Sequence, residues 1–144
     1  MRTALAASLA LVTVGCGSTS GLEVTEALLG QPTGPNAALY LSVTSDTEDR
    51  LVAASTPVAE AVELHETSIA EDGTTSMHPV EAFVVTPAEP LILGPGGKHL
   101  MLVEADRLEI GDAVEIQLEF ETAGTVAVTA EVVSPAETLG HDHG

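Results

Sequence analysis

Residues 22–133 read as a single all-β domain, an antiparallel β-sandwich. Three observations predict it. Apolar and polar residues alternate at period two in many short runs, Gly and Pro clusters separate those runs, and no stretch has helical periodicity. The runs are, in order, 37–44, 51–54, 61–69, 80–85, 91–93, 99–103, 113–121 and 125–133. Between them fall Gly34-Pro35, Glu71-Asp72-Gly73, Gly94-Pro95-Gly96-Gly97, Gly111-Asp112 and Ala123-Gly124, residue types that reverse a chain. The last two runs are the clearest. Val114, Ile116, Leu118 and Phe120 alternate with Glu115, Gln117, Glu119 and Glu121, and Val126, Val128, Ala130 and Val132 share a period-two face opposite Thr125, Thr129 and Glu131. That pattern is a hairpin with one wet face.

Composition limits what the domain does. The 144 residues suffice for one core and not for two. With 22 acidic side chains against 4 basic ones, the net charge is −18, which excludes nucleic acid as a general partner because phosphate is repelled. There is no Trp, one Tyr and two Phe, so the core is built from Val, Leu, Ile and Ala. One cysteine excludes an intramolecular disulfide and a multi-cysteine zinc site. The acidity fits either a salt-adapted organism or a surface that attracts cations.

The N-terminus reads as a targeting segment. Arg2 precedes an apolar run over residues 4–14 that is too short to span a bilayer. Gly15-Cys16 closes it, and a small residue before a cysteine at that place resembles a bacterial lipoprotein cleavage site. Residues 1–15 are then the signal peptide and Cys16 is the lipidated first residue of the mature chain. The other reading is an ordinary signal peptide with an incidental cysteine. Residues 16–21 form a tether, and residues 134–144 form a flexible acidic tail that holds His141 and His143.

The mature chain keeps two methionines, Met77 and Met101, and five histidines. Strand alternation puts Val62 and Leu64 on one face and Glu63, His65 and Thr67 on the other. Leu100 and Leu102 point to the core, while His99 and Met101 share the opposite face, about 7 Å apart along the strand. Two side chains at that offset can converge on one atom above the sheet. A methionine on a non-core face is unusual, because Met ordinarily fills core gaps. A lone exposed His is ordinarily a solvated surface residue. The joint pattern is what points to a metal.

Eleven residues separate His65 from Met77, twenty-one separate Met77 from His99, and one separates His99 from Met101. This spacing resembles the motif of the PCuAC-type periplasmic copper chaperones. The surrounding words are similar too: Asp49-Arg50-Leu51-Val52, Val62-Glu63-Leu64-His65-Glu66, Gly96-Gly97-Lys98-His99-Leu100-Met101-Leu102, and Gly111-Asp112 before the final hairpin. The resemblance spans about residues 36–133. It implies a cupredoxin-like, Greek-key β-sandwich with an exposed copper(I) site whose ligands are His65, Met77, His99 and Met101. Glu66 stands where the family often has Met, and His78 falls outside the motif.

Donor chemistry agrees with that implication. Thioether sulfur is soft and neutral, so it favours Cu(I) over Mg²⁺ and Ca²⁺, and imidazole binds either copper oxidation state. Thioethers also resist the disulfide formation that threatens thiolates outside the cytoplasm. A blue-copper electron carrier needs a Cys thiolate, and the sole Cys lies at the signal boundary. His141-Asp142-His143 offers imidazole and carboxylate without sulfur, which suits Cu(II) as an accessory site; two incidental histidines on an acidic end is the alternative.

The expected function is an extracytoplasmic copper(I) metallochaperone, lipid-anchored in the cell envelope, on the outer face of a membrane or in the periplasm. By the resemblance, it serves cytochrome c oxidase assembly, with the copper-binding oxidase subunit or a Sco-type protein as partner. The competing readings are a copper scavenger or buffer without a dedicated recipient, and a structural lipoprotein with a vestigial site. No Ser, His and acid arrangement suggests an enzyme.

Overall fold

The computed structural model describes residues 18, 19 and 21–135. Residues 1–15, read from the sequence as a signal segment, Cys16 and the tail residues His141 and His143 lie outside the described residues. The described residues form eleven strands in chain order: β1 (Ser18–Thr19), β2 (Leu22–Gly30), β3 (Ala37–Ser45), β4 (Asp49–Ser55), β5 (Ala59–Ile69), β6 (Thr75–Pro79), β7 (Phe83–Val85), β8 (Leu91–Leu93), β9 (Lys98–Ala105), β10 (Ala113–Phe120) and β11 (Gly124–Val133).

The strands pair in the order β2–β11–β10–β4–β5–β9–β3, and β3 pairs back onto β2. Seven strands therefore close into a barrel-like sandwich, which leaves the ring itself without an open edge. The seam is β4–β5, joined at Ala54 and Val62. The short strand β6 adds to β5, while β7 and β8 pair with β4 and β3 and bring Phe83, Val85, Leu91 and Leu93 into the core. The fold is the expected all-β, cupredoxin-like sandwich. One ladder departs from the antiparallel expectation: β11 runs parallel to β2, through Glu131↔Leu28, Val132↔Leu29 and Val133↔Gly30.

The core follows the alternation. Val114, Ile116, Leu118 and Phe120 are buried on β10, and Val126, Val128, Ala130 and Val132 on β11. Their register pairs Val114 with Ala130, Ile116 with Val128 and Leu118 with Val126, so both apolar sets fall on one face. β3 adds Ala37, Leu39, Leu41 and Val43, and β9 adds Leu100 and Leu102. Burial of these side chains in one layer drives closure.

Two strands escape the period-two reading. In β2, Leu22 and Val24 are buried, but the next buried residue is Leu29, of opposite parity. A register shift between Thr25 and Leu28, with Glu26 at φ 56°, flips the buried phase. β6 is exposed along its whole length and has no apolar phase to read. The run at 80–85 shrinks to β7.

Asp49, at the head of β4, is buried and ties the β10–β11 turn to the barrel. Its carboxylate accepts backbone N–H groups from Arg50 and Thr122 at 2.8 Å each and from Ala123 at 2.9 Å. Burial opposes its ionisation, but the hydrogen bonds from Thr122, Arg50 and Ala123 outweigh burial and hold its pKa below the usual carboxylate value.

Candidate metal centre

β5 is the central strand of the site, flanked by β6 on one side and β9 on the other. Cross-strand partners share a face of the sheet. His65 pairs with His99, Glu63 with Met101, and Thr67 with Met77. All four donors named by the motif therefore lie on one face, opposite the face that carries the buried Leu64, Leu100 and Leu102. His78 and Glu66 pair with each other, one residue out of phase, and so belong to the other face of the β5–β6 hairpin.

The face is not uniformly exposed. His99 is 4 % exposed, which departs from the expectation of an open polar face. Its ring is covered on one side by His65, with ring centroids 5.6 Å apart, and on the other by Tyr40 of β3, at 6.5 Å; both contacts are edge-on. The His65 side chain is 16 % exposed. Met101 is partly buried, two residues from His99. Met77 stands at the rim, 57 % exposed, on the projecting hairpin. Two strand spacings, about 10 Å, separate its strand from that of Met101.

Local sequence explains this placement. Glu71-Asp72-Gly73 reverses the chain between β5 and β6. Gly73 takes φ 85°, and Asp72 accepts the Thr74 N–H at 2.9 Å and the Thr74 hydroxyl. Gly94-Pro95-Gly96-Gly97 reverses the chain before β9, with Gly96 at φ 78° and Gly97 N–H donating to the Gly94 carbonyl at 3.2 Å. The Gly97 carbonyl then accepts Thr67 N–H at 3.1 Å and faces Nδ1 of His99 at 3.4 Å. The turn thus fixes both the β5–β9 register and the His99 ring.

Two ring nitrogens, Nδ1 of His65 and Nε2 of His99, are buried without a hydrogen-bond partner among the described residues. Unsatisfied buried polar atoms are rare and call for an explanation. The pKa of His99 is lowered, first by burial and then by the neighbouring His65 charge, with the Gly97 hydrogen bond acting against both. A lowered pKa keeps the ring neutral and its lone pair free to bind metal. No group of three or more His, Cys, Asp or Glu side chains among the described residues is arranged to hold a metal ion. The sulfurs on the same face as the two imidazoles are Met101 and, at the rim, Met77. Such a set fits a soft monovalent ion.

The four residues singled out by the sequence share one face, and two further residues, not singled out there, stand beside them. Tyr40 lies on β3, whose pairing Ala38↔Met101 carries it to His99. Glu63 lies 2.7 Å from His65 through Oε2 and Nε2. The signal for Glu63 was present in its two-residue offset from His65 on one strand face; nothing local signals Tyr40.

Comparison with known proteins gives a consistent picture. A family model described as "Putative lipoprotein LpqE-like" matches residues 22–132. Among solved structures, the chain is similar to the copper-bound PCuAC domain from PmoF2, at 26 % identity and a TM-score of 0.70, over 85 % of this chain and 100 % of that one. It is similar to the apo PCuAC domain from PmoF1, at 28 % identity and 0.69, over 83 % and 99 %. It is also similar to the Cu(I) form of DR1885 from Deinococcus radiodurans, at 28 % identity and 0.56, over 76 % of each chain. No curated protein matches the sequence.

Proposed function

The chain belongs to the LpqE-like family, and from that premise we propose that it is an envelope copper(I) metallochaperone that binds one Cu(I) through His65, His99, Met101 and Met77. The observation that carries this reading is the pair of buried imidazole nitrogens without partners, set beside two thioethers on one sheet face. The similarity to PCuAC domains described as copper-bound, and to a Cu(I) form of DR1885, supports it.

Four neutral donors leave the ion its single positive charge, so it departs without stranding an unpaired anion in the site. Buried His99 and partly buried Met101 form the fixed half of the cage. Exposed Met77 is the exchangeable half, the point at which an incoming ligand displaces a donor. The acidic surface attracts a basic recipient face and makes the encounter sensitive to salt. The family description supports a lipid anchor at Cys16, which places the domain at the membrane surface in the envelope. The proposed recipient is the copper-binding subunit of cytochrome c oxidase or a Sco-type protein.

The test is transfer. The Cu(I)-loaded protein is mixed with the apo copper-binding domain of an oxidase subunit from the same organism, the two are separated, and the metal on each is measured. Movement of copper to the recipient is the expected result. Retention by the donor, while the recipient still takes Cu(I) from solution, favours a buffer instead.

A further inference from the structure

Glu63 lies on the same sheet face as the four donors and contacts His65, but it does not belong to the motif. It stands opposite Met101 on the β5–β9 ladder, is half exposed, and places Oε2 2.7 Å from Nε2 of His65. A carboxylate offers only acceptors, so the hydrogen in this contact sits on Nε2 and the imidazole donates. A neutral imidazole carries one N–H, which leaves Nδ1 of His65 with a lone pair. That Nδ1 is one of the two buried nitrogens without a partner among the described residues.

The reverse tautomer is disfavoured twice. It would set two lone-pair atoms against each other at 2.7 Å, and it would bury an N–H with no acceptor. His99 has the opposite arrangement: Nδ1 faces the Gly97 carbonyl at 3.4 Å, and Nε2 is the buried nitrogen left without a partner. The carbonyl is itself held in place by the Thr67 N–H.

We propose that Glu63 is a positioning residue for the metal centre. It selects the Nε2–H tautomer of His65, so that His65 presents Nδ1 and His99 presents Nε2 to the same ion. This rests on the reading of both histidines as copper ligands. The carboxylate also strengthens the imidazole as a donor, as outer-shell carboxylates do for metal-bound histidines generally. Its negative charge, one hydrogen-bonded ring away, offsets the charge that four neutral donors leave on Cu(I).

The test has two readouts on the full-length protein. Long-range ¹H–¹⁵N correlation spectra of the metal-free protein, at mildly alkaline pH, report the tautomer of each ring. Wild type and Glu63→Gln, which keeps an acceptor, are expected to show His65 as the Nε2–H form and His99 as the Nδ1–H form. In Glu63→Ala, His65 is expected to lose its preference while His99 is unchanged. Competition with a chromophoric Cu(I) chelator gives the second readout. Glu63→Ala is expected to weaken binding by about ten- to a hundredfold, with Glu63→Gln, which keeps the acceptor but loses the charge, falling between Glu63→Ala and wild type. His65 found as the Nδ1–H form in wild type, or Glu63→Ala binding Cu(I) as tightly as wild type while His65→Ala does not, overturns the positioning role. His65→Ala binding Cu(I) as tightly as wild type overturns the copper reading beneath it, and the tautomer spectra still decide whether Glu63 sets the His65 ring.

Discussion

The imidazole rings of His65 and His99 meet edge-on across the β5–β9 ladder, with centroids 5.6 Å apart and planes at 64°. Each ring carries one buried nitrogen, Nδ1 of His65 and Nε2 of His99, without a hydrogen-bond partner among the described residues. His99→Ala and Met101→Ala are each expected to weaken Cu(I) binding at least tenfold, about 1.4 kcal/mol or more. His78→Ala is expected to have little effect, because alternation turns His78 to the other face of the hairpin. Chelator competition on the three variants checks this, and equal losses at His78 and His99 would contradict the ligand assignment.

Tyr40 supplies a built-in reporter. The chain has one Tyr and no Trp, and that Tyr ring lies 6.5 Å from His99. Copper loading is expected to quench tyrosine emission in step with occupancy and to stop at one equivalent. Emission that stays constant through a titration in which copper is bound would place the ion elsewhere.

Asp49 governs stability rather than metal binding. Asp49→Ala removes the acceptor for the N–H groups of Thr122 and Ala123 and is expected to cost about 2 kcal/mol. The folded-state pKa lies below the unfolded value of about 3.9. The stabilisation is therefore complete above that value and is lost as the pH falls through the folded pKa. Denaturant unfolding of wild type and variant at neutral pH and in acid is expected to give a gap that narrows on acidification. A gap that widens would contradict the assignment.

The legibility of the fold tracks local alternation. The β10–β11 hairpin was readable in full because one face is uniformly apolar and the other polar. β2 was hidden because Glu26 breaks the phase midway, and β6 because none of its residues is buried. The common face of the four candidate donors was legible, since a strand's two faces follow from parity alone. The burial of His99 was not legible, because it depends on Tyr40 arriving from β3, some sixty residues earlier in the chain.

Cys16 carries the anchoring claim. Cys16→Ser is expected to leave unprocessed precursor or to release the protein into the soluble fraction. Membrane association that survives the substitution would remove the lipid anchor from the account and leave the metal centre untouched.

The tail is proposed to act separately from the barrel. Deleting residues 141–144 is expected to reduce Cu(II) uptake with little change in Cu(I) affinity, because His141 and His143 bring no sulfur. Loss of Cu(I) binding on that deletion would reverse the assignment.

The central claim is that one Cu(I) sits on the β6–β5–β9 face. Anaerobic titration of the purified protein against a chromophoric Cu(I) chelator tests it most directly, with metal content measured on the same sample. The expected result is one Cu(I) withheld from the chelator per chain, and loss of that equivalent when His65 and Met101 are both replaced by Ala. A wild-type protein that withholds no Cu(I), or a double variant that still withholds one, would contradict it.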